Sequence, residues 1–286
     1  PASKSEAGAN EKLLFWACFI ALIATAFGFI IRTQILGDWQ KQFGLTETQK
    51  GEINGVGLWP FALSIVLFSL VIDKIGYGKA MAFAFFCHVT SAIITIFTPE
   101  LSGGNADRAY WVLYIGTFIV ALGNGTVEAV INPVVATLFP REKTKWLNIL
   151  HAGWPGGLVL GGLLALGMGS ADWRLKVALL FLPVIAYGIL MLGRRFPINE
   201  RVAAGVSYFE MLRQVGLFGA LIIVSLMIAE VGRVFEIDLY VQLAIVAVLV
   251  LGFGAYTQSI GQPLFIFLLL IMIPLATTEL GTDGWI

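Results

Sequence analysis

Charge is scarce in this 286-residue chain: Lys, Arg, Asp and Glu make up 13% of it, against about a quarter in a soluble domain, and hydrophobic residues reach 58%. With a mean hydropathy of +0.86, that poverty of charge excludes an ordinary soluble fold and leaves an all-α polytopic membrane protein. The formal net charge of zero therefore says nothing about nucleic acid or acidic partners; what matters is how charge is shared among the connections. Cysteine is nearly absent too. Cys18 and Cys87 both lie inside apolar runs, where they read as small packing residues and not as a disulfide or metal pair. Also missing are a Ser/His/Asp constellation, a metal-ligand spacing and a phosphate-binding loop, so the chain is read as a non-enzyme without cofactor or metal. The N-terminal PASKSEAGAN has no charged start, short apolar core or cleavage site of a signal peptide, and residues 1–10 are expected to be a disordered tail. The chain starts at Pro1 without Met and stops at Ile286 straight after an apolar run, which reads as a fragment of something longer.

What the sequence has in abundance is long apolar runs. Nine lie at roughly 13–36, 53–72, 78–98, 109–138, 147–169, 174–193, 211–230, 239–257 and 263–284, each able to cross a ~30 Å hydrocarbon core that takes about 20 helical residues. They are too long and too continuously apolar for barrel strands, so all are expected to be helices. Lys and Arg are more numerous in the connections on the N-terminal side, most clearly between runs two and three, four and five, and six and seven. That bias favours a cytoplasmic N-terminus, in the cell (inner) membrane. The longest basic, Pro-containing connection follows run six. The expected division is therefore a six-helix bundle over 11–194, a cytoplasmic linker over 195–210, a two-helix hairpin over 211–257 and the first helix of a further bundle over 258–286.

One stretch carries ionisable chemistry into the apolar part. In GNGTVEAVINPVVATLFPREKTK (123–145), Asn124, Glu128 and Asn132 fall at i, i+4 and i+8 on one helical face. Glu128 sits about three turns from the basic cluster Arg141, Lys143 and Lys145, well inside a hydrocarbon slab. A carboxylate there is costly and marks a functional site by default, the alternative being a residue that only ties helices together. Arg32, in run one, is the other misplaced charge, ~12 Å from the depth of Glu128 by helical rise; it either snorkels to the outer interface or lines a substrate site. His88 and His151 read as hydrogen-bonded packing residues. Glu279 and Asp283 share one face at the end of run nine.

The connection SLVIDKIGYGK (69–79) places Asp73, Lys74, Gly76 and Lys79 near the positions of the Gly-x-x-x-Asp-Arg/Lys-x-Gly-Arg-Lys/Arg loop of the major facilitator superfamily, which it resembles. Ser69 replaces the first Gly, and Tyr77-Gly78 the usual basic pair. GDWQKQFGLTETQKGEINGVGLW (37–59), LFPREKTKWLNILHAGWPGGLVLGG (138–162) and SADWRLKVALLFLP (170–183) resemble the same superfamily's first outer loop, its 4–5 loop with Gly-rich helix five, and its 5–6 turn. The resemblance covers 13–194. It implies a bundle of two inverted three-helix repeats, a cytoplasmic gate at Asp73, Lys74, Gly76 and Lys79, and a substrate cavity reached by Arg32, Asn124, Asn132, Glu279 and Asp283. Runs seven and eight resemble the extra pair of fourteen-helix members. Gly153-Trp154-Pro155-Gly156-Gly157 departs from the antiporter pattern of helix five, which tilts the reading toward symport or uniport. The Glu128, Asn132, Pro133 pattern is similar to that of proton-coupled sugar symporters of the fucose permease type, which implies that Glu128 is a proton site. The expectation is thus a secondary transporter of a small polar, sugar-like or other organic solute, working with protons in the bilayer by alternating access. A membrane-embedded enzyme, with Glu128 or His151 as acid or base, and an antiporter or non-transporting sensor on the same scaffold are the alternatives.

Overall fold

Continuous apolar runs leave the backbone one way to satisfy itself in lipid, and every regular element of the structure is a helix among the described residues. The structure is a computed structural model that describes the backbone of residues 4–283 and the side chains of residues 10–278. In chain order the helices are α1 Lys4–Phe43, α2 Glu47–Gly55, α3 Trp59–Ile75, α4 Tyr77–Ile96, α5 Thr98–Ser102, α6 Ala106–Leu138 and α7 Lys143–His151. They continue with α8 Gly153–Gly167, α9 Trp173–Ala178, α10 Phe181–Met191, α11 Glu200–Ala203, α12 Tyr208–Val234, α13 Leu239–Thr257 and α14 Pro263–Asp283.

Eight stretches among the described residues are long and apolar enough to cross a membrane: Asn10–Phe43, Glu47–Ile75, Tyr77–Ile96, Ala106–Leu138, Lys143–Gly167, Trp173–Met191, Tyr208–Val234 and Leu239–Thr257. The ninth expected run is α14, whose apolar part, Pro263–Thr278, is shorter. The protein is a multi-pass integral membrane protein. Residues 4–10 depart from the expected disordered tail, for their backbone is helical and runs into α1; their small and charged residues are compatible with helix once a long apolar segment follows. Polar caps set several helix starts. Thr46 and Gln49 form a reciprocal capping box before α2, and Asn105, Asp172, Ser207 and Asp238 each accept a backbone N–H at the first turn of α6, α9, α12 and α13.

The chain divides into two compact units, Pro1–Glu200 and Arg201–Ile286, inside the 195–210 segment expected to link two bundles. In the first unit the packing follows a simple rule. Span one (α1) lies against span five (α8) and span six (α10), while span four (α6) lies against span two (α3) and span three (α4); α1 and α6 also meet. Exchanging spans one to three for spans four to six maps this set of contacts onto itself, the arrangement of two interleaved three-helix repeats. The α1–α8 contact is close because α8 presents glycine to it: a Cβ on Gly157 would lie 2.7 Å from the Ala26 Cβ. Small residues substitute for the missing hydrophobic drive between helices in lipid.

In the second unit α12 packs on α13 and on α14. The expected continuous run over 211–230 is broken: Gly216, at φ +56°, interrupts α12. The backbone donors that the break frees on Leu217 and Phe218 are taken by the carbonyls of Ser259 (2.8 Å) and Ile260 (3.1 Å). The uncharged 257–262 connection thus fills a notch in the preceding helix and satisfies groups that lipid would leave stranded.

Gly157→Leu is expected to destabilise the protein by about 1–3 kcal/mol through overpacking, whereas Gly156→Leu, whose Cβ faces open space, is expected to be neutral. Thermal unfolding of the two variants in detergent reads the difference; equal melting temperatures would remove the α1–α8 contact from this account.

Candidate functional site

The polar face of α6 is built by the 3.6-residue period and then divided by its neighbours. Glu128 and Asn132, one turn apart, are both half-buried. The Asn132 amide donates to Glu128 Oε2 (3.1 Å) and to the Glu128 carbonyl (3.2 Å), so carboxylate and amide form one unit. Asn132 Oδ1 is buried and accepts no hydrogen bond among the described residues. Pro133 follows inside the helix. It has no N–H to give to the carbonyl one turn back, which loosens the helix beside the carboxylate. Thr137 answers on the next turn, its hydroxyl donating to the Pro133 carbonyl at 2.8 Å.

Asn124 belongs to a different environment. It is 6% exposed and its Oδ1 lies 2.9 Å from His88 Nε2 on α4. The other ring nitrogen, Nδ1, lies 3.0 Å from the Tyr187 hydroxyl on α10. An amide oxygen can only accept, so Nε2 carries the proton and, in the neutral ring, Nδ1 accepts from Tyr187. The result is a closed chain, Tyr187 to His88 to Asn124, that ties spans six, three and four with every polar atom of the imidazole satisfied. His88 is fully buried, a hydrogen-bonded packing residue as its sequence suggests. His151 differs: it is exposed in the last turn of α7.

Arg32 is half-buried on α1, and its Nε is buried without a hydrogen-bond partner among the described residues. It borders an internal cavity of about 20 Å³ together with Trp39 of α1 and Ser91 and Thr95 of α4, room for about one water. Its stem therefore faces the inside of the bundle.

At the other end of α4, the residues expected to form a gate loop flank a one-residue turn. Asp73 and Lys74 close α3, Gly76 (φ +84°) is the whole connection, and Lys79 lies in the first turn of α4. Lys74 and Lys79 are exposed and Asp73 is half-buried. Tyr77, standing where a basic residue is usual in the loop motif, is buried, and its hydroxyl accepts from the Asn199 amide at 2.9 Å. Beside it Lys143 and Glu200 pair at 2.7 Å. The segment after span six thus holds the ends of spans three and five. Outside the membrane-crossing stretches, the Glu142 carboxyl is held below its ordinary range by hydrogen bonds from Lys145 and the Trp146 indole. The side chains of Glu279 and Asp283 lie outside the described residues.

The sequence reading missed Tyr187 and the partnership of Asn124 with His88. The positions are 99 and 36 residues apart along the chain, so no local spacing joins them. The available signal was a histidine and a tyrosine deep in separate apolar runs, each needing a partner.

A search of curated proteins finds no match to the chain. A family model described as Major Facilitator Superfamily matches residues 14–282, nearly the whole chain and both of its compact units. With helical spans alone, an interleaved pair of three-helix repeats and a one-residue loop between spans two and three, the chain belongs to the major facilitator superfamily, a family of membrane transporters of small solutes.

Proposed function

We propose that the protein is a proton-coupled symporter of a small polar organic solute, with Glu128 as the group that binds and releases the driving proton. The observation that carries this reading is the Glu128–Asn132 pair, a carboxylate joined to an amide at 3.1 Å, half-buried in a crossing helix and loosened by the adjacent Pro133. A protonated carboxyl can donate where a carboxylate can only accept, so a change of charge at Glu128 changes what Asn132 offers to a solute hydroxyl. The buried Oδ1 of Asn132, without a partner among the described residues, is an acceptor open to that exchange. Arg32 and the small cavity beside it supply a second polar wall, and Asn124, held by His88, fixes the upper part of α6. Alternating access then opens this depth of the membrane to one side and then to the other. In the same reading Asp73, Lys74, Gly76 and Lys79 close the cytoplasmic side.

The hairpin of α12 and α13 is proposed to lie outside the pathway. Its middle is apolar, and the Gln242 side chain is already used to close the turn between the helices, donating to the Ile237 carbonyl at 2.6 Å. A path for a polar solute needs free polar groups.

Glu128→Gln keeps the shape and removes the charge change. In the full-length protein it is expected to abolish proton-driven accumulation, bringing internal solute only to the external concentration, while counterflow of solute against solute, which needs no net proton movement, continues. Accumulation by the variant equal to the parent's would make Glu128 a structural residue. Replacing residues 211–257 with a flexible linker is expected to leave uptake largely intact; loss of transport in a stably inserted variant would put the hairpin in the pathway.

A further inference from the structure

A second cavity in the first unit is not lined by Glu128. It is a groove of about 540 Å³ between α4 and α10, walled by Phe85 and Phe86 on one side and Ile185, Ile189 and Leu192 on the other, and ending at Arg194. Its walls are turned outward: Phe86 is 65%, Ile189 66% and Leu192 80% exposed. Its floor is Tyr187, whose hydroxyl is committed to His88. No polar side chain but the Arg194 guanidinium offers the groove an unspent hydrogen bond.

Three features say what fills it. In a protein that crosses the membrane, an apolar trough between two crossing helices meets hydrocarbon and not water. The helical wall from Ile185 to Met191 rises roughly 9 Å at ~1.5 Å per residue, within one leaflet of a ~30 Å hydrocarbon core, and the chain leaves the helix at Leu192 before reaching Arg194. The basic end is also one-sided. Arg194 lines the groove, and Lys79 stands next to the lining residue Gly78. Neither has a hydrogen bond or ion pair from its side chain among the described residues, and the nearby Glu200 is engaged by Lys143 at 2.7 Å. An apolar channel between two crossing helices with a cationic mouth is complementary to a chain carrying an anion at its end.

We propose that the α4–α10 groove is a binding site for an anionic phospholipid, one acyl chain lying along Phe86, Ile189 and Leu192 with the phosphate on Arg194 and Lys79. The chain rests against Tyr187, so the lipid packs on the outer end of the hydrogen-bonded series that reaches Asn124. This inference rests on the membrane crossing and not on the role given to Glu128, and it stands or falls separately.

The test uses the full-length protein, reconstituted in phosphatidylcholine vesicles containing phosphatidylglycerol and then re-extracted in detergent. Retained lipid is counted by mass spectrometry. The parent is expected to keep phosphatidylglycerol in preference to phosphatidylcholine. Arg194→Gln is expected to weaken that preference about fivefold, as for the loss of one basic residue at an anionic surface. Ile189→Trp, which fills the groove from an exposed position, is expected to lower retention of both lipids, and unchanged thermal unfolding shows that neither variant has simply lost its fold. Retention without headgroup preference in the parent, or insensitive to both substitutions, overturns the proposal. So does displacement of phosphatidylglycerol by inorganic phosphate alone, which would leave the acyl chain without a role. A photocrosslinker at Phe86 that captures another protein segment or a second copy in place of lipid overturns it as well.

Discussion

Hydrocarbon gives no hydrogen bond to a backbone amide or carbonyl, and this one refusal shapes the whole chain. It turns each apolar run into helix, and it removes the hydrophobic drive that would press those helices together. What remains is close fit and internal polar bonding. The α8 glycines let α1 approach to van der Waals contact, and His88 binds spans three, four and six through two hydrogen bonds. Even the interruption of α12 obeys the rule, because the connection before α14 supplies carbonyls to the donors the break exposes.

The same constraint sorts the polar residues of α6. The Asn124 amide oxygen has a partner on a neighbouring helix, whereas Glu128 and Asn132, on the less buried face, bond to each other across one turn. A buried group with a fixed external partner gives rigidity; a local pair on a helix loosened by proline keeps its bonding adjustable. That contrast, and not the mere presence of polar atoms in a crossing helix, separates a scaffold residue from a candidate for solute or proton binding.

Much of the fold was legible in the sequence because length and apolar continuity decide crossing helices almost alone. The 78–98 and 239–257 runs are spans at nearly the expected limits, and the glycine between spans two and three is the turn its spacing suggested. The site was legible only as far as periodicity reaches. A helical wheel sets Asn124, Glu128 and Asn132 on one side, but which of them meets another helix depends on residues far along the chain. Arg32 could be drawn to either side of the interface by its length, and only packing turns its stem toward Ser91 and Thr95. The break at Gly216 was hidden inside an apolar run, since a glycine in a helix looks the same whether it permits contact or a turn. Residues 4–10 were read from composition, which carries no information about a helix propagating from its neighbour.

The interleaving of the two repeats has a consequence for biogenesis. Span one is the first to be made, yet the faces it packs on, α8 and α10, are made last in the bundle: Phe19 rests against Gly153, more than a hundred residues later. At a synthesis rate of about 5–20 residues per second the wait is on the order of ten seconds. Throughout that interval Arg32 stands in a newly inserted helix without the bundle that later encloses it, so the first span must be held at the insertion machinery, or by transient neighbours, until the fifth and sixth arrive. The feature that locks the finished bundle is also the one that obliges it to close late.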